Sequence, residues 1–215
     1  MKRREFLKSL PVLSLAPLTL CQIPGGNQTG SRHLIALGTV ACRLARNYSG
    51  KLAFDTIVMI DGENPSEHQE KFKFIKFISP ESIFEQFGDI RITKGNYLPI
   101  LPLPKELQSH LESLSGELVF LSGLGGVTSK LLTQSIGTHY SNISQSIEWI
   151  AMMPFEFQGI RKGAQAQLAI HVLAERKLEP TCLYLDEIRR KYGNLSIRSA
   201  YQKADEWVVA ELNDG

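Results

Sequence analysis

Residues Leu118 to Lys130, Leu-Val-Phe-Leu-Ser-Gly-Leu-Gly-Gly-Val-Thr-Ser-Lys, constrain this fold more than any other stretch of the chain. Leu118 to Leu121 form an apolar run of the length of a buried strand. Gly123, Gly125 and Gly126 break it, and Thr128 and Ser129 stand where a helix would take its N-cap. A strand feeding a glycine turn into a helix leaves free backbone N–H groups at the positive end of the helix dipole, which suits a phosphate. Taken alone, the stretch is equally a plain turn between strand and helix. It is not a Walker loop, because Lys130 has no glycine before it, and it does not match the dinucleotide fingerprint.

The same alternation recurs along the chain. Apolar runs predict strands at Leu34–Leu37, Phe54–Ile60, Phe72–Ile78, Asp89–Thr93, Ile147–Met153 and Cys182–Leu185. Helical patterns predict helices at Val40–Tyr48, Pro80–Phe87, Lys105–Leu114, Ser129–Gly137, Ala164–Lys177 and, capped by Ser196, Ile197–Ala210. A chain of 215 residues that is 43% hydrophobic can bury one good-sized core. The expected fold is α/β, a mostly parallel sheet with helices on both faces.

Charge and cysteine usage exclude several function classes. A net charge of +2 gives no indication of nucleic-acid binding. Lys2, Arg3, Arg4 and Lys8, set against Glu5, account for that excess, so the rest of the chain is slightly acidic. Cys21, Cys42 and Cys182 are too few and too scattered for a disulfide framework or a zinc site, and Cys42 and Cys182 are expected to be buried thiols. Residues 1–21 have the character of a targeting segment. Arg3-Arg4-Glu5-Phe6-Leu7-Lys8 resembles the twin-arginine export motif, and the apolar run Leu10–Leu20 is too short to span a bilayer. A basic amphipathic leader is the alternative. Leu18-Thr19-Leu20-Cys21 resembles a lipoprotein cleavage box with a leucine where a small residue is usual. Residues 22–32, with Pro24-Gly25-Gly26, form a linker, and the folded domain is expected over 33–215.

The loop at 118–130 resembles the Gly-Gly-Gly-Thr-Gly-Thr-Gly signature of the tubulin/FtsZ superfamily, with Val127, Ser129 and Leu131 in place of glycines. A second match lies at Pro154-Phe155-Glu156-Phe157-Gln158-Gly159-Ile160-Arg161-Lys162, similar to the family's Pro-Phe-x-Phe-Glu-Gly-x-x-Arg turn. A third lies at Ala200-Tyr201-Gln202-Lys203-Ala204-Asp205, similar to its core-helix Ala-Phe/Tyr-x-x-Ala-Asp. Ile92-Thr93-Lys94-Gly95 resembles the approach to the family's third glycine loop, whose body is here Asn96-Tyr97-Leu98-Pro99. The first glycine loop is replaced by Gly38-Thr39-Val40-Ala41-Cys42. Asp61 and Asp186-Glu187-Ile188 stand near two further family positions.

The resemblance implies a guanine nucleotide, GTP or GDP, weakly bound. Phosphate contacts would come from Gly38, Gly95, Gly123, Gly125, Gly126, Thr128, Ser129, Lys130 and the cations Arg161 and Lys162. Gln158 would face the ribose. Tyr201 and Asp205, one turn apart on one helix face, would face the base, Asp205 accepting the guanine N–H pair. From the residues alone, Tyr201 is equally a packing aromatic and Asp205 a solvated or capping acid. The family's acid loop, which activates water on a neighbouring subunit's nucleotide, would follow the last helix and lies beyond Gly215, so no hydrolysis is expected from this chain alone. The function so implied is a non-hydrolysing regulatory or interaction protein, with an FtsZ-like chain or a second copy as partner and membrane contact only through the N-terminal segment. Two alternatives stand beside it: an exported protein whose cleft holds another ligand or a partner, and a GTPase completed in trans.

Overall fold

A computed structural model describes residues 30–62, 72–77, 103–141 and 145–214. The predicted elements at 80–87 and 89–93, the loop containing Gly95, and the leader lie outside the described residues.

Among the described residues, six strands form one sheet in the order β3-β2-β1-β4-β5-β6, every adjacent pair parallel. They are β1 Arg32–Leu37, β2 Thr56–Asp61, β3 Phe72–Lys76, β4 Glu117–Gly123, β5 Ile147–Met153 and β6 Thr181–Tyr184. The described helices are α1 Gly38–Tyr48, α2 Lys105–Ser113, α3 Val127–Tyr140, α4 Ile160–Glu175, α5 Asp186–Tyr192 and α6 Ile197–Asp214.

Successive residues of a strand point to opposite faces, and here both faces are covered, so the central strands are apolar throughout. Ile35, Leu37, Phe120 and Ala151 face a core closed by α2, α3 and α4 through Leu107, Leu111, Leu132, Ile136, Ala169 and Leu173. Leu34, Ala36, Val119, Leu121 and Ile150 face the other way, where α1 and α6 cover them with Leu44, Ala45, Val208 and Leu212. Strand order reverses between β1 and β4, which opens a crevice at their carboxyl ends, where open α/β sheets bind ligands.

Several boundaries differ from the sequence expectation. Helix α3 begins at Val127 rather than Ser129, and no side chain caps it. Ser129 lies inside the first turn, and its hydroxyl donates to the Gly123 carbonyl at 2.7 Å, so it ties strand to helix instead of accepting a cap bond. Helix α4 begins at Ile160 because Gly159, at φ +100°, turns the chain straight into it. It ends at Glu175, where Lys177 at φ +60° lets Leu178 N–H return to the Leu173 carbonyl. Ser196 caps α6 as expected, its Oγ accepting Ser199 N–H at 3.1 Å. Cys42 is buried, but Cys182 is only half-buried, since β6 is an edge strand.

Candidate functional site

The crevice at the β1–β4 reversal brings together four chain turns. Gly38 follows β1 with no loop between, at φ +79°, and a Cβ there would lie 3.1 Å from the Ser129 Cβ. The first turns of α1 and α3 are therefore in contact across the crevice. Gly125, at φ +100°, lies against α4: its added Cβ would meet the Lys162 Cβ at 3.2 Å and the Lys162 carbonyl at 3.3 Å. These two glycines are required by backbone conformation and by close approach.

Around these turns the chain carries apolar side chains at the starts of α1, α3 and α4. A Cβ at Gly123 would fall 2.8 Å from the Val40 Cβ, so Val40 leans over the loop. Val127, at the first position of α3, is 45% exposed, and Ile160, at the first position of α4, is 93% exposed. Gly126 is exposed and has open space around it, with only Ser129 Oγ at 3.5 Å. Arg161 and Lys162 are exposed and Thr128 is half-buried. Lys130 is buried, with no carboxylate partner among the described residues, and burial pushes its ammonium below the usual lysine range. The Cys42 thiol, which donates to the Ala36 carbonyl, is pushed up to about 12 by burial and by Asp61, so it is neutral and inert.

The other end of the crevice is tightly built. After β5, Pro154 leads into a single 3-10 turn, Glu156–Gln158. Phe155 is buried in a small cluster with Leu185, Ile188, Ala200 and Ala204, which docks the turn onto α5 and α6. Tyr201 stands edge-on to Phe155 at 5.3 Å, and Gln158 Nε2 donates to the Tyr201 hydroxyl. One turn along α6, Asp205 is buried at 7% exposure, and its Oδ1 accepts Arg43 Nη2 at 2.9 Å. Burial raises the Asp205 pKa, and the Arg43 charge and hydrogen bond oppose that rise. Arg43, Tyr48, Arg198, Tyr201, Gln202 and Asp205 line a hollow of about 380 Å³.

The structure thus gathers Gln158, Tyr201 and Asp205 at one end and Gly38, Gly123, Gly125, Gly126, Thr128, Ser129 and Lys162 at the other. Arg43 and Tyr48 were not singled out from the sequence, because both lie on α1, far from the core helix in sequence. A cation on a partly polar helix is the ordinary pattern of a solvent-facing side. Asp61 is buried and spends Oδ1 on the Gly62 N–H at 2.8 Å. Asp186 to Ile188 belong to α5, and Asp186 Oδ2 accepts the Glu156 N–H at 2.8 Å, so it braces the turn after β5. Among the described residues no cluster of His, Cys, Asp or Glu is fit to hold a metal, and no helix is long and apolar enough to cross a membrane.

The hollow beside Asp205 offers an aromatic wall and a carboxylate, whereas Val40 and Val127 present partly exposed apolar side chains at the first turns of α1 and α3.

No protein-family model matches the chain, and no curated protein is significantly similar to it in sequence. Solved structures are similar in fold. FtsZ of M. jannaschii superposes with a TM-score of 0.62 at 14% identity, over 84% of this chain and 52% of that one. CetZ2 from Haloferax volcanii, a GTPgS bound protofilament, gives 0.60 at 14% identity over 85% of this chain and 57% of that one. TubZ from bacteriophage PhiKZ, as a monomeric subunit, gives 0.52 at 10% identity over 84% and 60%. The chain spans little more than half the length of these proteins. With its parallel six-stranded sheet and its crevice at the β1–β4 reversal, the chain has the tubulin/FtsZ nucleotide-binding-domain fold.

Proposed function

We propose that this chain is a diverged tubulin/FtsZ-fold protein that binds a guanine nucleotide weakly, chiefly through its nucleoside, does not hydrolyse it, and works as a regulatory or interaction protein. The observation that carries this reading is the contrast within one crevice. The base end joins residues of three elements by Gln158–Tyr201 and Arg43–Asp205 contacts. The phosphate end carries the partly exposed apolar side chains of Val40 and Val127 over the first turns of α1 and α3. Protofilament assembly of a structural neighbour supports an FtsZ-like chain or a second copy as partner.

Calorimetry with GDP, GTP and ATP, together with a phosphate-release assay, tests this. The expected result is weak binding, a guanine preference and no turnover above a blank. Gly126→Ala is a clean probe of the phosphate end: at φ −90°, with open space for a methyl group, it leaves the fold undisturbed, so lost affinity reports ligand approach. Robust phosphate release would reject the non-hydrolysing role.

The apolar rim favours a second reading. Val40, Val127, Phe157 and Ile160 are 41%, 45%, 42% and 93% exposed around the mouth of the crevice, a surface suited to a protein partner. A flat titration with every nucleotide at millimolar concentration would favour this reading over the first. The twin-arginine-like Arg3-Arg4 motif supports an address across a membrane for such a domain. Residues 1–30 fused to a folded reporter should export it, and Arg3→Lys with Arg4→Lys should block export; a wild-type fusion retained in the cytosol would refute the address.

A further inference from the structure

We propose that Arg43 is the positioning residue of the base hollow: by holding Asp205 through Oδ1 it leaves Oδ2 turned to the hollow, as acceptor for a ring that presents adjacent N–H donors. This rests on the nucleoside reading of the crevice given above.

Asp205 lies on the buried side of α6, between Ala204 and Val208, and a carboxylate so placed holds its charge only beside a partner. Arg43 is that partner. Its side chain is 39% exposed against 10% for Asp205, so the guanidinium stands at the rim and the carboxylate at the floor. Only Oδ1 is used. Oδ2 makes no hydrogen bond among the described residues, yet it is not one of the sealed polar atoms, so it keeps access to the hollow that Asp205 lines.

The pair is not what fastens α1 to α6. Ala41, Leu44 and Ala45 share one buried core with Val208, Val209 and Leu212, and that apolar contact holds the helices without any charge. What the pair adds is a fixed rotamer and a fixed ionisation state. A planar guanidinium can hold one oxygen and leave the other open, a geometry an ammonium does not impose.

The other groups around Asp205 do not replace this role. Tyr48 faces it from α1, and burial together with the Asp205 and Glu206 charges pushes the Tyr48 hydroxyl upward, so it is neutral. Arg198, Tyr201 and Gln202 share the hollow from α6 but make no hydrogen bond to the carboxylate among the described residues. Without Arg43, the carboxylate would take up a proton more readily and would lose its acceptor as pH falls.

Calorimetry on the full chain with GDP and ADP, between pH 6 and pH 8, tests the proposal. Wild type should prefer GDP by roughly tenfold or more, with a ratio flat across this range, as a hydrogen bond to one charged carboxylate oxygen gives. Arg43→Ala should lose the preference at pH 6 and regain part of it at pH 8. Arg43→Lys should restore the flat profile with a smaller ratio, and Asp205→Asn should show no preference at any pH. Melting curves check folding, and Arg43→Gln serves the same comparison if the alanine variant does not fold. A GDP preference in Arg43→Ala equal to wild type and flat with pH would overturn the role of Arg43 while leaving the nucleoside reading in place. Absence of binding by either ligand to wild type would overturn both.

Discussion

The two ends of the crevice differ in how their side chains are committed. At the base end, Gln158, Tyr201, Arg43 and Asp205 are joined in pairs across three elements, and Phe155 anchors the turn that carries Gln158. At the phosphate end, Val40 and Val127 are exposed, Lys162 is exposed, and Gly126 faces open space. The lesson is that one crevice can be held in two ways, by paired polar side chains at one end and by close backbone packing at the other. Backbone conformation survives at Gly38 and Gly125, where packing between α1, α3 and α4 demands it.

If the base end is the built half, disturbing it should cost most. Phe155→Ala empties a fully buried site and should lower unfolding free energy by about 3–5 kcal/mol, measured by denaturant titration. Next comes Gly38→Ala, which forces a side chain into a left-handed conformation against Ser129. It should cost about 1–2 kcal/mol by the same measurement, because that glycine serves packing rather than a ligand.

The pH response of stability follows in size. Burial holds the folded pKa of Asp205 above its unfolded value, so the native chain keeps that proton more tightly than the unfolded one. This contribution is greatest below the ordinary aspartate range and is lost as pH rises through the raised folded value. Stability curves of wild type and Asp205→Asn should therefore converge in shape in acid and part as pH rises through that window, with the wild type losing more. Smallest is Lys162→Ala. An exposed lysine gains less than about 1 kcal/mol from a phosphate, so GDP affinity should fall by less than roughly fivefold.

Much of the fold was readable in the sequence because a parallel sheet covered on both faces turns each central strand into an unbroken apolar run. Ile147–Met153 is found at the predicted boundaries for that reason. Helix α5 was missed because Ile188 is its one buried residue, which leaves no periodicity to detect. The start of α3 was misplaced because Ser129 has the residue type of a cap but donates to carbonyls from within the first turn.

For the crevice, the turn at 154–163 and the pair Tyr201 and Asp205 stood out because each is a local pattern. Arg43 did not, since its meaning comes from a contact across 162 residues of chain. The expected weight of Lys162 also changed, because its stem packs on Gly125 while its charge lies in solvent.

The division of the crevice into a built base end and an eroded phosphate end is tested most directly by comparing guanosine with GDP on the full chain by calorimetry. If the phosphate end supplies little, GDP should bind no more than about tenfold tighter than guanosine, a difference of about 1.4 kcal/mol. A GDP affinity about a thousandfold or more above that of guanosine, on the order of 4 kcal/mol, would contradict the account and place the working half of the site at Gly123 to Lys130.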